Sequence, residues 1–134
     1  MNSRAMVIGN EGYSLDELVS LLDEAGIETA IVYEESWEPK ALSEIGPQII
    51  VVESGNGPDG WDISSEIRRD SNIPIILLGT IDSEMAWVKA AAYGVDCYVE
   101  RPFSPLELVA RIRSLIRRHQ NRRDGLADLQ TSTA

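Results

Sequence analysis

The sequence predicts an α/β fold: a doubly wound, five-stranded parallel sheet of order 2-1-3-4-5. Three observations lead there. Short apolar runs alternate five times with longer amphipathic ones. The short runs are apolar at consecutive positions, as strands buried on both faces are. Right-handed crossovers between parallel strands then leave few possible orders, and 2-1-3-4-5 leads among them.

The first strand is Ala5-Met6-Val7-Ile8. Ser14-Leu15-Asp16-Glu17 then reads as a capping box, with Leu15, Leu18, Val19, Leu22 and Ala25 at helical spacing and Gly26 as terminator. Ala30 to Tyr33 is strand two. A weaker helix follows, with Trp37, Ala41, Leu42 and Ile45 recurring helically, Pro39 in its first turn and Gly46-Pro47 as its stop. Ile49-Ile50-Val51-Val52 is the clearest strand, β-branched throughout. The turn-rich segment Ser54 to Gly60 leads into a helix carrying Trp61, Ile63 and Ile67, with Arg68-Arg69 at its end.

Ile75 to Leu78 is strand four. Asp82-Ser83-Glu84 opens the fourth helix, which runs through Trp87 and Val88 to Gly94, and Cys97 to Val99 is strand five. Ser104-Pro105-Leu106-Glu107 is a cap with proline in the first turn. It starts a helix that buries Leu108, Val109, Ile112, Leu115 and Ile116. Past that helix the apolar pattern decays. Residues 1–119 are therefore assigned to one domain and 120–134 to a polar linker or disordered tail.

Bulk properties narrow the function. The chain has 134 residues, 43% hydrophobic and 25% charged, which is globular composition for a single domain. Its net charge of −10 disfavours nucleic acid and anionic membrane as partners of the body. The basic cluster Arg111, Arg113, Arg117, Arg118, His119, Arg122 and Arg123 complements a helix C-terminus, and direct nucleic-acid binding is not expected from it. Cys97 is the single cysteine, which excludes an internal disulfide and suits a reducing cytoplasm. No apolar run is long enough to span a bilayer, so a cytoplasmic, membrane-free protein is expected.

In an open α/β sheet the functional crevice lies beyond the carboxyl ends of the strands, where strand order reverses. For this order it lies between strands one and three. Strand one delivers Gly9-Asn10-Glu11, strand three Glu53, strand four Gly79-Thr80 and strand five Arg101. Two carboxylates, an amide, a hydroxyl and a guanidinium thus converge on one rim.

Several sequence features then point to a family. Pro47 precedes strand three, Asp59-Gly60 opens helix three and Pro74 precedes strand four. Gly94-Val95-Asp96-Cys97-Tyr98 leads to Arg101-Pro102-Phe103, and the last helix begins Ser104-Pro105-Leu106-Glu107-Leu108-Val109-Ala110-Arg111-Ile112-Arg113. In this order and spacing the chain resembles a response-regulator receiver domain, over residues 3 to 118. The last helix is similar to that of the winged-helix regulator subfamily. The resemblance implies a flavodoxin-like (CheY-like) fold and a place in two-component signalling. It also implies an acidic pair and an aspartate that hold Mg²⁺, the aspartate accepting a phosphoryl group from a histidine kinase. A hydroxyl, an aromatic residue and a lysine before a cis proline would read out that event.

The departures fall on the reactive positions. Glu53 stands where the resemblance implies the phosphoacceptor. The acidic pair aligns with Gly9-Asn10 or, after a one-residue slip, with Asn10-Glu11. Gly79 occupies the hydroxyl position with Thr80 one place later, Tyr98 is the aromatic residue, Arg101 replaces lysine, and Pro102 is kept. The loop after strand three is a residue short.

Glutamate carries its carboxylate farther out by about 1.5 Å, a displacement that matters for in-line attack. Mg²⁺ demands near-octahedral carboxylate geometry, so binding is expected to be weak or absent. Arg101 would hold Glu53 in a permanent ion pair. Asn10 serves equally as a left-handed turn residue, and Thr80 as a cap for helix four. Trp61 and Trp87 read as packing or partner-facing residues.

The expectation is a degenerate, non-enzymatic receiver that acts as an interaction module. Its partners would be itself, a histidine kinase or an output domain. By the resemblance, a homodimer would form through helix four, strand five and helix five, using Trp87, Asp96, Glu107, Arg111 and Arg118. Two alternatives are a receiver that is still phosphorylated, and a flavodoxin-like nucleotide or flavin binder. The loop after strand one lacks the phosphate cradle the latter needs.

Overall fold

Five consecutive-apolar runs become five strands. In the computed structural model, which describes residues 3–53, 59–80 and 83–132, these are β1 (Arg4–Gly9), β2 (Glu28–Tyr33), β3 (Ile49–Glu53), β4 (Ile75–Gly79) and β5 (Cys97–Glu100). Neighbouring strands are all parallel, in the order β2-β1-β3-β4-β5 that the sequence predicts. Between and after them lie α1 (Tyr13–Glu24), α2 (Lys40–Ile45), α3 (Asp59–Asp70), α4 (Ser83–Tyr93) and α5 (Pro105–Ser132).

The sheet separates two cores, which is why the central strands β1, β3 and β4 are almost wholly apolar, while the edge strands β2 and β5 are only partly buried. On one face Val7, Val51, Leu78 and Val99 pack with Leu15, Leu18 and Leu22 of α1 and with Leu108, Ile112 and Ile116 of α5. On the other, Ile8, Val52 and Leu77 pack with Trp61 and Ile67 of α3 and Ala90 of α4. Each fully buried aliphatic side chain contributes about 1.5–3 kcal/mol of transfer free energy. β3 and β4 are buried at every residue.

Three local expectations are corrected. The capping box at Ser14 does not form: α1 begins at Tyr13 over Gly12 with no side-chain cap. The Asp16 N–H closes the first turn on the Gly12 carbonyl at 3.1 Å, which places Ser14 inside the helix. Trp37 is extended and precedes α2, following a short 3-10 turn (Glu34–Ser36), so it is not on that helix's face. Leu115 is half-buried rather than buried.

The expected linker from Gln120 is helical backbone as far as Ser132. Arginine, glutamine, leucine and alanine there are all strong helix formers. The lone Gly125 costs only about 1 kcal/mol against alanine, too little to stop a helix already propagating. The expectations for 54–58 and for Asp82 lie outside the described residues.

Two ends form as their sequences dictate. The Ser104 Oγ accepts from the Glu107 N–H at 3.4 Å, at the start of α5. Gly46 closes α2 in the left-handed conformation, φ 62°. The Arg101–Pro102 peptide is cis.

Candidate functional site

Glu53 is the last residue of β3 and only 8% exposed, one of two buried polar side chains among the described residues. Gly9, at the end of β1, makes room for it: a Cβ on Gly9 would sit 3.2 Å from the Glu53 Cβ. Arg101 reaches over from the end of β5, its backbone anchored by donation from its N–H to the Gly79 carbonyl at 2.8 Å. Its Nη2 lies 3.2 Å from Glu53 Oε2. That is ion-pair distance, but no N–H is aligned on the oxygen, and this buried Oε2 has no hydrogen-bond partner among the described residues. The contact is a charge attraction. Burial pushes the Glu53 carboxyl up from its ordinary value, and the opposing charge of Arg101 does not cancel the effect. The Arg101 guanidinium also lies 5.7 Å from the Phe103 ring.

Beside this pair the structure seats Tyr98 in a slot. A Cβ on Gly79 would lie 2.8 Å from the Tyr98 hydroxyl, so the phenol occupies space that only glycine leaves open. On its other side the Tyr98 ring stacks on Trp61, with centroids 5.8 Å apart and planes at 12°. Trp61 is 3% exposed, and it also meets Tyr93 at 5.7 Å and the Lys89 Nζ at 5.4 Å. The ring of Tyr98 is thus held inward, against β4 and α3.

The remaining predicted site residues do not join this group. Asn10 and Glu11 are exposed after β1, and Thr80 is exposed after β4. Asn10 instead borders a shallow acidic depression with Glu34, Glu35, Trp37, Asp62 and Glu66, where the Trp37 Nε1 donates to Glu66 at 3.3 Å. Among the described residues no three Asp, Glu, His or Cys side chains come together as they would around a metal ion. The nearest candidate, Glu53, is turned to Arg101.

Of the residues assigned to self-association, Trp87 is 79% exposed. Asp96 already accepts from Arg68 at 2.5 Å and from the Ile75 N–H at 2.8 Å. Glu107 is held by Arg111 of the next turn at 2.9 Å, and Arg111 Nη1 lies 3.4 Å from Cys97 Sγ.

Sequence reasoning had missed the Gly79–Tyr98–Trp61 slot. Its signal was present, a glycine in place of a hydroxyl residue with a tyrosine on the neighbouring strand. The ring's direction is what the sequence does not encode.

A sheet of this order with an acid, a cationic residue before a cis proline and an aromatic on β5 is the arrangement of a receiver domain. No family model matches the chain. A DNA-binding response regulator, MtrA of Mycolicibacterium smegmatis, is 30% identical over 122 residues, covering 90% of this chain and 54% of the relative. The sensory transduction protein RegX3 of the same organism is 33% identical over 127 residues, covering 92% and 54%. The chain thus spans about half the length of these relatives. The receiver-domain structure of a Francisella response regulator superposes with a TM-score of 0.72 at 26% identity, covering 88% of this chain and 99% of that one. The chain is similar over nearly all of its length to the receiver domains of response regulators, near the winged-helix subfamily.

Proposed function

We propose that this receiver works without phosphoryl transfer, as a non-enzymatic interaction module of a signalling protein in the cytoplasm. The observation that carries this reading is the Glu53–Arg101 ion pair at the switch point. A carboxylate one methylene longer than aspartate stands there, its charge already engaged by a cation of the same rim. Asn10 and Glu11 are exposed beyond the end of β1, while Glu53 is buried. The pair fills the role that a phosphoryl group and a lysine would share, and it does so at all times. The inward Tyr98 keeps β5 and its surroundings in one arrangement.

The partners follow from the same resemblance. A histidine kinase or an output domain is the natural associate of a receiver, and an output domain beyond α5 fits relatives about twice the length. Self-association would use α4, β5 and α5. Because Asp96 and Glu107 are engaged within the chain, Trp87 and the apolar surface of α4 would provide its attraction, not crossed ion pairs. The domain itself would bind neither nucleic acid nor membrane.

The test is intact mass after incubation with acetyl phosphate and Mg²⁺. The expected mass is unchanged. A stoichiometric phosphoryl adduct, labile to hydroxylamine, overturns the reading and restores the alternative of a working phosphate switch.

A further inference from the structure

The two outer strands of the sheet are built differently. β5 is four residues long and ends on Glu100. β2 is six residues long, and from Thr29 to Tyr33 it carries no charge, proline or glycine. Its register with β1 runs unbroken from Glu28 to Tyr33, so no bulge turns it away. Natural sheets blunt an edge with lysine, proline or a bulge, because its unpaired backbone groups accept another strand. β2 has none of these devices. The Glu28 N–H donates to the Ser3 carbonyl at 2.9 Å, so Glu28, Ala30 and Val32 turn their backbone groups to β1. Those of Thr29 and Ile31, and the Tyr33 N–H, therefore turn outward, where among the described residues no strand pairs with them. The side chains of Ile31 and Tyr33 are 42% and 39% exposed on the same strand.

We infer that β2 accepts an extended segment of another protein as a sixth strand, apolar beside Ile31 and Tyr33 and cationic at its ends. Main-chain hydrogen bonds would hold the segment, and charge selects it. Glu28 begins the open strand, and Glu34 and Glu35 follow its last residue. Glu34 and Glu35 also line the acidic depression with Asp62 and Glu66, and no cation is among its lining residues. Arg4, beside Glu28 in the register, is committed to Glu28 and to the Ile45 carbonyl, each at 2.9 Å. A second copy fits less well. Antiparallel pairing of two β2 strands about Ile31 sets Glu28 of each copy opposite Glu34 of the other, and like charges directly opposite destabilise a strand pair. This goes beyond the proposed function: it adds an interaction surface at the β2 edge, which the α4, β5 and α5 face does not share.

Such pairing leaves a signature within β2. The amides of Ala30 and Val32 already bond to β1, while those of Thr29, Ile31 and Tyr33 face out. An added strand protects the second set from hydrogen exchange and leaves the first unchanged. Proline at position 31 removes one outward donor without removing a bond to β1, a placement that edge strands tolerate.

The test is fluorescence anisotropy of a short labelled peptide, alternating valine and threonine with lysine at both ends, titrated with the full chain. Saturable binding is expected, weakened by salt and weakened roughly tenfold by Ile31→Lys, by Ile31→Pro and by Glu35→Lys. Amide exchange on the complex should show new protection at Thr29, Ile31 and Tyr33 alone within β2. Circular dichroism of each variant verifies that it is folded. The same peptide N-methylated along its backbone tests the pairing on the unaltered protein, and it should not bind. No binding of the lysine peptide, equal binding of the N-methylated peptide or of a glutamate-ended one, or protection elsewhere overturns the inference. So does a dimer of the chain that Ile31→Lys dissociates, which would give the edge to a second copy. Any of these outcomes leaves the phosphate-free reading standing, because the mass experiment decides that separately.

Discussion

Glu53 is buried, charged and incompletely satisfied, and this has a measurable consequence. Its folded pKa is raised above the ordinary 4.5, by burial first and against the pull of Arg101. A raised acid contributes its stability in full below its unfolded pKa and loses it as pH climbs through the folded value. Glu53→Gln should therefore make the protein more stable at pH 7, and the advantage should shrink as pH falls to the carboxylate range. Urea melts at both pH values check this; a less stable glutamine variant at pH 7 would show that the Arg101 attraction outweighs burial. Gly79→Ala is expected to act oppositely, costing about 1–3 kcal/mol because the Tyr98 ring must shift in its stack against Trp61. Near-ultraviolet dichroism should change with it, and an unchanged spectrum at unchanged stability would count against the slot. The convergence of Glu53 and Arg101 was legible in the sequence because strand ends in a known order fix backbone positions. Tyr98 was not, because its placement depends on a side-chain direction and on an absent Cβ.

Elements were legible to the degree that burial specifies them. The strands followed from short apolar runs, most clearly the fully buried β3 and β4, and their order from the crossover rule. Caps were less secure. The Ser104 cap forms, and Ser104→Ala should lower stability by about 1 kcal/mol in thermal or urea melts. Ser14 has similar local sequence and does not cap, because the helix closed a turn earlier on a backbone carbonyl. Ser14→Ala should accordingly be close to neutral, and a loss equal to that of Ser104→Ala would contradict the difference. The misread tail has a different cause. Apolar periodicity reports packing, and helix propensity can carry a backbone onward without that signal.

At the scale of the whole molecule, charge and apolar surface are separated with unusual sharpness. Acids dominate the chain up to α5, cations crowd the middle of α5, and the largest exposed aromatic, Trp87, sits opposite them across a groove between α4 and α5. A helix apolar over its outward arc is normally covered by something. In the reading proposed for the free protein, a second copy covers it with Trp87 at the centre. Ion pairs add little, since those available are already made within each chain. Self-association should therefore be phosphate-independent and only weakly sensitive to salt. Trp87→Asp should abolish it, because the substitution removes the indole and buries an unpaired carboxylate in its place. Sedimentation velocity over a concentration series measures both properties. A monomer at every concentration, or a dimer indifferent to Trp87→Asp, would remove α4 as the self-association surface.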